Sequence, residues 1–194
     1  MHRGVSQRMR TDSTRGTGIN RRRFLAWSAA TLAMASTPIT LAQAARTEHR
    51  DLAFHNLHTG EKLTVTYWEH GRYLPDALSE VNHVLRDHRA NEVHPIDPDL
   101  LDTLDALQQR LDTQATFEVI SGYRSPETNR RLRAQGRNVA VYSLHMEGEA
   151  IDIRVPGRDL SQVRDAALSL QKGGVGYYPR SQFVHVDVGN VRSW

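Results

Sequence analysis

The decapeptide SLHMEGEAID, residues 143–152, places a histidine and an aspartate seven positions apart, with a glycine and small residues between them. His145 offers an imidazole nitrogen and Asp152 a carboxylate oxygen, and both donors bind divalent metal ions. A second pair, His185 and Asp187, lies in the segment FVHVDV. The chain has no cysteine, so a metal centre would rely on imidazole and carboxylate donors of this kind.

Two predicted strands carry most of these donors. Side chains alternate across a strand, so in AIDIRV the aliphatic residues share one face and Asp152 lies on the other. In FVHVDV the valines form the apolar face, and His185 and Asp187 lie opposite them. Gly148 permits a turn that brings the ring of His145 back toward Asp152. The pattern therefore predicts that the donors converge on one side of a sheet.

Two neutral imidazoles and one carboxylate are typical of a catalytic zinc site. Such a site takes three protein ligands and leaves the fourth position to water. Zinc lowers the pKa of that water to about 7 and polarises a carbonyl group, which suits hydrolysis of an amide bond. We therefore predict one Zn²⁺ per chain, held by His145, Asp152 and His185.

Other catalytic motifs are incomplete or absent from the sequence. GGVGYYP, residues 173–179, lacks the lysine and hydroxyl of a phosphate-binding loop and the spacing of a dinucleotide fingerprint. We interpret it as a tight turn before the last strand. No Gly-x-Ser-x-Gly elbow is present, and the lack of cysteine excludes a thiol nucleophile. Metal-assisted hydrolysis is the chemistry that the residue types favour.

The first 44 residues are typical of an export signal. An arginine-rich start leads through NRRRFLA to the apolar run LAWSAATLAMA, and AQA (residues 42–44) has the small-x-small form of a signal peptidase site. Arg21 and Arg22 belong to a pattern that resembles the twin-arginine signal. The apolar run is shorter than the roughly 20 residues that span a bilayer, so we predict cleavage and no stable membrane anchor. The predicted boundaries are a twin-arginine signal peptide over 1–44 and one domain over 45–194.

Removing this leader changes the charge of the chain. The whole chain has 25 basic and 22 acidic residues; the leader accounts for seven arginines and one aspartate, which leaves 18 against 21, a net charge of −3. A nucleic-acid partner based on overall charge is therefore not expected. Without cysteine, neither a disulfide framework nor a lipid-anchored cysteine is possible. About 150 residues suit one periplasmic domain with a single core.

The remaining sequence predicts a mixed α and β domain. Residues 52–74 alternate apolar and polar side chains as a hairpin does. Helices are predicted from Pro75 and from Pro98, the second capped by Asp97, with apolar residues spaced along one face. Further strands are predicted at 116–121, 150–155 and 183–188, and further helices at 125–136 and 160–171. We predict a small α+β domain with an antiparallel sheet, flanking helices and a zinc cleft on one sheet face.

Three segments, SGYRSPETN, SLHMEGEAIDI and GGVGYYPRSQFVHVDVG, carry a family resemblance. In order and spacing they resemble the zinc peptidases grouped with D-alanyl-D-alanine carboxypeptidases and the hedgehog-like fold, known as the LAS superfamily. Within that group the chain is most similar to the MepK (YcbK) branch of exported murein endopeptidases, over nearly all of residues 50–194. The family pattern Ser-x-His-x-x-Gly-x-Ala-x-Asp falls on Ser143, His145, Gly148, Ala150 and Asp152, and the last metal ligand falls on His185.

This resemblance implies a function and further site residues. It implies a zinc metallopeptidase that hydrolyses amide bonds in peptidoglycan cross-links in the periplasm. The leader motif separately predicts the twin-arginine translocase as a partner during export. The resemblance also implies that Arg124 binds a substrate carboxylate through its planar guanidinium; the alternative is a salt bridge that ties the loop down. Ser143 belongs to the implied substrate site. Tyr123, Tyr177 and Tyr178 are candidates to line the groove or to donate to an oxyanion.

One position departs from the family pattern. Many relatives carry an acid three residues before the last histidine ligand, where it serves as general base, but this chain has Gln182. An amide cannot take the proton. Asp187, on the same strand face as His185, is the nearest carboxylate. It either activates the water or orients the ligand ring, and both roles remain open.

Two other functions remain open at this point. The first is a D,D- or L,D-carboxypeptidase or dipeptidase that trims stem peptides. The second is a non-catalytic peptidoglycan-binding module that keeps a structural metal, as the missing upstream acid would suggest. An open set of three ligands favours the hydrolase, because structural zinc sites are usually closed by a fourth protein ligand.

Overall fold

A computed structural model describes residues 49–137 and 139–194. These residues form one eight-stranded sheet in the order β3-β2-β1-β4-β5-β7-β6-β8. The strands are β1 (His49–Asn56), β2 (Lys62–Glu69), β3 (Arg72–Tyr73), β4 (Phe117–Ser121), β5 (Ala150–Arg154), β6 (Gly174–Tyr178), β7 (Phe183–Asp187) and β8 (Arg192–Ser193). The helices are α1 (Pro75–Val84), α2 (Pro98–Arg110), α3 (Pro126–Ala134) and α4 (Leu160–Leu170). The predicted signal peptide and its cleavage site lie outside the described residues.

The predicted helices are confirmed, and local capping explains where two of them begin. Asp97 accepts a hydrogen bond from the backbone N–H of Asp99 at the start of α2. Ser125 accepts one from the backbone N–H of Thr128 at the start of α3. A proline follows each of these caps, in the first turn, where its missing N–H costs nothing. The α+β fold class is therefore confirmed.

The sheet is mixed, whereas the sequence predicted an antiparallel one. Five of its pairings are antiparallel, but β1 pairs with β4 and β6 pairs with β8 in parallel. Parallel neighbours need a long connection. The hairpin strands β2 and β3 and the helices α1 and α2 provide that connection between β1 and β4. Strand polarity of this kind depends on the chain path, which local patterns do not encode.

The segment GGVGYYP is a strand and not the predicted turn. Its residues Gly174–Tyr178 form β6, between β7 and β8. A Cβ added at Gly173 would lie 1.8 Å from the backbone oxygen of Asp187, and one at Gly176 would lie 2.8 Å from the ring of Trp194. The glycines therefore mark close approach of neighbouring segments inside a sheet. Glycine richness suggested a turn because the sequence does not show these neighbours.

The aliphatic face of the central strands packs with α1, α2 and α4 in a single apolar cluster. The apolar residues predicted to line one face of each of the first two helices are buried in this cluster. The exception is Leu111, the last apolar residue predicted for the second helix, which is partly buried. Buried members include Leu52, Phe54, Val81, Leu100, Leu104, Leu107, Ile151, Ile153, Val184 and Val186. Since burial of apolar area contributes about 25 cal/mol per Å², this cluster anchors β5 and β7 firmly. Within residues 49–137 and 139–194, no helix is long and apolar enough to cross a membrane.

Candidate metal centre

His145, Asp152 and His185 meet at one point on the side of the sheet opposite this cluster. Asp152 Oδ1 lies 2.8 Å from His185 Nδ1 and 3.3 Å from His145 Nε2, and the two imidazole nitrogens lie 3.2 Å apart. Ligands of a tetrahedral zinc at its usual bond lengths lie about 3.3 Å from one another. The donor types and spacings therefore fit one metal ion. Each of the three residues is 9% exposed or less.

Strand register places two of the donors. Asp152 of β5 and His185 of β7 are directly opposite each other in an antiparallel pair. Directly opposed residues project from the same face of a sheet. Their neighbours Ile151 and Val186 are likewise opposed and lie in the apolar cluster. The alternation predicted from the sequence thus brings these two donors together.

A tight turn brings the third donor to the same place. His145 lies in a 3-10 turn, Leu144–Met146, just before β5. Gly148 follows with a φ of +74°, and its carbonyl oxygen accepts a hydrogen bond from the backbone N–H of Asp97. A Cβ at this position would lie 2.1 Å from the carbonyl oxygen of Pro95. Both the backbone conformation and the lack of space therefore require glycine here.

The second nitrogen of each imidazole has its own partner. His145 Nδ1 lies 2.7 Å from the carbonyl oxygen of Gly122, which accepts its N–H. His185 Nε2 lies 3.1 Å from Asp187 Oδ2, which accepts in the same way. In the neutral rings the proton therefore lies on His145 Nδ1 and His185 Nε2, and His145 Nε2 and His185 Nδ1 are directed toward Asp152. Outer partners of this kind orient the rings of metal-binding histidines.

Asp187 lies behind His185, away from the cavity. Its side chain has no exposed surface and accepts hydrogen bonds from the backbone N–H groups of Gly174 and Gly189, both at 2.9 Å. Arg192 adds two more, at 2.7 and 3.2 Å. Burial raises the pKa of Asp187, but His185 and these donors outweigh it and lower the pKa to about 2. This placement fits the ring-orienting role and not the water-activating one, since the carboxylate is not part of the cavity lining.

The protonation of the donors suits metal binding. Burial lowers the pKa of His145, which favours the neutral imidazole. Burial opposes the charged form of Asp152 as well, but the two imidazoles hold the pKa of its carboxyl well below the usual value. Burial also lowers the pKa of His185, yet Asp152 and Asp187 outweigh it and raise the pKa. In the metal-free protein these two carboxylates favour the charged form of His185, so a metal ion at its Nδ1 competes with a proton.

The donors open into a cavity of about 420 Å³. One wall comes from the loop before the 3-10 turn and includes Tyr142 and Ser143. The other wall comes from the β6–β7 hairpin and the end of the chain. Ser143, which the resemblance assigned to the substrate site, therefore lies in the lining of this cavity. The remaining lining includes Arg124, Tyr178, Phe183 and Trp194.

Arg124 is buried in this cavity with few strong contacts. It is 7% exposed, and its Nε has no hydrogen-bond partner among residues 49–137 and 139–194. The bonds of Nη1 to Asn129 and of Nη2 to Ser121 are long, at 3.4 and 3.3 Å, and Asp152 Oδ2 is 3.9 Å away. Burial lowers the pKa of the guanidinium. A buried cation with unused donors is suited to an anionic ligand, and it does not form the tight salt bridge of the alternative reading.

Two tyrosines predicted for the substrate groove lie elsewhere. The hydroxyl of Tyr123 donates to Glu92 at 2.8 Å, and its ring stacks on His94. Tyr177 lies under the guanidinium of Arg164, 4.6 Å from the ring centre. Neither side chain lines the cavity, whereas Tyr178 does. Adjacent strand residues face opposite sides, so one of the two tyrosines in β6 had to lie away from the site.

Gln182 does not reach the cavity either. It is exposed in the turn between β6 and β7, with a φ of +57°. Among the described residues that line the cavity, Asp152 is the only one with a carboxylate. The described cavity lining therefore contains no carboxylate, apart from the metal donor Asp152, that could replace the acid of the family pattern.

Sequence reasoning missed several residues of the cavity lining, among them Trp194, Arg192 and Tyr142. Trp194 lies with its ring 5.3 Å from that of His185, and its Nε1–H donates to the hydroxyl of Tyr178 at 2.7 Å. Arg192 lines the cavity and also binds Asp187. Tyr142 is 90% exposed at the cavity wall. The only sequence indication was the i, i+2 spacing of Arg192 and Trp194, which in a strand puts both on one face.

Several known proteins are similar to this chain. The model of the M15_2 peptidase family, described as "Peptidoglycan L,D-endopeptidase MepK", matches residues 44–194. The chain is 45% identical over 176 residues to the peptidoglycan L,D-endopeptidase MepK of Escherichia coli (strain K12), covering 90% of this chain and 97% of that protein. It is 41% identical over 177 residues to the probable peptidoglycan L,D-endopeptidase MepK of Haemophilus influenzae, covering 90% and 95%. A structural match to the L-Ala D-Glu endopeptidase ChiX of Serratia marcescens has a TM-score of 0.33 and 21% identity, over 49% of this chain and 68% of that one.

Proposed function

The chain belongs to the MepK family of M15 peptidases, and from that premise we propose that it is a zinc-dependent L,D-endopeptidase that cuts peptide cross-links of peptidoglycan. It is a peptidase by family, and the names of its relatives indicate peptidoglycan as the substrate. The observation that best supports the metal-dependent reaction is the convergence of three metal donors beside Arg124, a buried arginine that makes only long hydrogen bonds through its side chain.

The proposed zinc ligands are His145, Asp152 and His185, with one ion per chain. When bound, zinc would supply a Lewis acid that polarises the scissile carbonyl and makes a water nucleophilic at neutral pH. The protein prepares this site by protonation and orientation. Gly122 and Asp187 fix the two imidazole rings from behind, so that their free nitrogens point to the same place as Asp152 Oδ1.

Arg124 is the proposed anchor for a carboxylate of the stem peptide. Its Nη2 lies 3.9 Å from Asp152 Oδ2, so a carboxylate bound there sits next to the metal donors. A charge-assisted bond of this kind is about twice as strong as a neutral one. It would orient the substrate so that its peptide bond lies at the donor cluster, which supplies much of the catalytic advantage of a bound substrate. Ser143 and Tyr178 lie in the same lining and are the proposed polar contacts.

The proposed place of action is outside the cytoplasm. The MepK relatives are named for peptidoglycan, which lies beyond the inner membrane. We propose that residues 1–44 are a twin-arginine signal, that cleavage follows Ala44, and that residues 45–194 are the mature periplasmic peptidase. Replacing Arg21 and Arg22 with lysine should trap the precursor in the cytoplasm, as immunoblots of cell fractions would show.

Product analysis of the mature protein tests the proposed function. The zinc-loaded protein should convert cross-linked muropeptides with L,D links into monomers, and it should contain one zinc per chain. The His145→Ala variant should lose both zinc and activity, with its far-UV circular dichroism retained. Release of terminal D-alanine alone would instead indicate a carboxypeptidase. Binding to sacculi with no soluble product would indicate a non-catalytic module.

A further inference from the structure

We propose that Arg192 is a positioning residue of the metal centre, which acts on His185 through Asp187. The guanidinium binds both carboxylate oxygens of Asp187, with Nη2 at 2.7 Å from Oδ2 and Nη1 at 3.2 Å from Oδ1. The same Oδ2 accepts the Nε2–H of His185 at 3.1 Å. Three contacts therefore connect Arg192 to Nε2 of His185, the ring nitrogen opposite the Nδ1 that faces the other metal donors. This inference rests on the proposed metal site.

The charge of Arg192 matters because Asp187 is completely buried. A buried carboxylate without a cationic partner is costly, and a planar two-pronged contact also fixes the carboxylate in rotation. Two backbone N–H groups, from Gly174 and Gly189, hold Oδ1. Arg192 is the cationic side chain that binds Oδ2, the oxygen shared with His185. Loss of Arg192 should therefore leave Asp187 in place but free to rotate or to recruit a proton, and either change loosens the ring of His185.

The fold is built to admit this contact. Strand β8 pairs with β6 in parallel, with Gly174 opposite Arg192. A Cβ added at Gly174 would lie 2.5 Å from Asp187 Oδ2 and 2.7 Å from Arg192 Nη1. Glycine at this position thus leaves the space in which the arginine and the carboxylate meet. This close approach explains why glycine occurs at position 174 of the glycine-rich segment, which matches no catalytic motif.

Trp194 helps to fix the arginine. It lies two residues after Arg192, and the guanidinium is 5.0 Å from the centre of its ring, within range of a cation–π interaction. The backbone of Trp194 is tied to β6 by bonds to Val175 and Tyr177. The side chain of Arg192 is 43% exposed, so its position depends on these contacts rather than on burial. The end of the chain thereby becomes part of the metal centre.

The test measures zinc affinity, by competition with a chromophoric chelator, in the mature protein. Removal of an outer partner of a metal-binding histidine typically weakens binding by about 10- to 100-fold, and this is expected for Asp187→Asn. Arg192 is one contact further out, so Arg192→Gln should weaken binding by about 10-fold, the lower end of that range. Arg192→Lys should give an intermediate affinity, because lysine restores the charge but not the two-pronged geometry.

A double-mutant cycle identifies the route of the effect. If Arg192 acts through Asp187, then Arg192→Gln should change zinc affinity little in the Asp187→Asn background. The His185 Nε2–H proton resonance gives a second readout in the single variant, where faster exchange with water is expected. This resonance decides the matter if Asp187→Asn does not fold. Wild-type zinc affinity and an unchanged resonance in Arg192→Gln, or fully additive effects in the cycle, would overturn the proposal.

Arg86→Gln is the matched control. Arg86 also binds a carboxylate through two nitrogens, at 2.7 and 3.2 Å from Glu61, but neither residue lines the cavity. This variant should lower the melting temperature and leave zinc affinity unchanged. The outcomes separate the two proposals: a wild-type protein that binds no zinc contradicts the proposed function, whereas equal zinc binding by wild type and Arg192→Gln contradicts only the role of Arg192.

Discussion

Replacement of Arg124 by methionine should reduce activity without reducing stability. The guanidinium is buried, its Nε has no partner within the described part of the chain, and its hydrogen bonds to the side chains of Ser121 and Asn129 are 3.3 and 3.4 Å long. Burial of a charge is costly unless the charge is well paired and hydrogen-bonded, and Asp152, the carboxylate nearest to Arg124, would be neutralised by the bound zinc, so an apolar side chain of similar volume should be tolerated here. The zinc-loaded Arg124→Met protein should therefore unfold at the same denaturant concentration as wild type, or at a higher one.

The expected loss of activity follows from the proposed carboxylate contact. A hydrogen bond to a charged group contributes about 1.5–3 kcal/mol. At about 1.36 kcal/mol per factor of ten, kcat/KM for a cross-linked muropeptide should fall by roughly 10- to 150-fold. A substrate whose recognised carboxylate is amidated should show little difference between wild type and Arg124→Met. Product formation followed by chromatography, with urea unfolding of the same samples, measures both quantities.

Arg86→Met supplies the contrast. Arg86 donates at 2.7 and 2.8 Å to Glu61, Asn91 and the backbone of His83, so its loss should lower the free energy of unfolding. Its kcat/KM should remain that of wild type. If Arg124→Met is destabilised as much as Arg86→Met while its kcat/KM is unchanged, then Arg124 ties down its loop and the substrate-binding argument is refuted.

Three further predictions follow from the structure. Gly148→Ala should weaken zinc binding and lower stability, because a Cβ would lie 2.1 Å from the carbonyl oxygen of Pro95 and the positive φ costs about 1–2 kcal/mol. A zinc affinity equal to that of wild type would refute this prediction. Tyr142→Ala should raise KM and leave zinc content unchanged, whereas Val141→Ala, an exposed neighbour outside the cavity lining, should have no effect on either. Burial and nearby Arg89 lower the pKa of His88 from 6.5 to about 4. As the pH falls, the unfolded chain therefore binds the proton first, and the free energy of unfolding should decline between pH 6.5 and about 4. Urea unfolding across that range should show a smaller decline for His88→Gln.

The helices were predictable because their determinants are local. Asp97 and Ser125 each cap a helix whose first turn contains a proline, and both caps are observed. A cap and the four residues that it serves are adjacent in sequence, so composition and spacing are enough. The same holds for the turn at Gly148, where the residue type itself indicates a positive φ.

The sheet was only partly predictable because its partners are distant in sequence. Strand β6 pairs with β8, which consists of Arg192 and Ser193 only, and neither strand was predicted. The glycines that suggested a turn are required by atoms of Asp187, Arg192 and Trp194. Likewise, alternation alone did not show which of two adjacent tyrosines faces the cavity.

The amino-acid sequence predicted the donors of the site: an aspartate and a histidine on strands whose aliphatic residues lie on the opposite face, and a second histidine beside a glycine where the chain turns. It did so because residue type and strand alternation are local properties. The position of Asp187 at the Nε2 side of His185, which favours the ring-orienting role, was not predictable, since it depends on how β7 is placed in the folded protein. The contacts of Arg192 and Trp194 were likewise not predictable, because a contact between sheet neighbours exists only once the strands have paired.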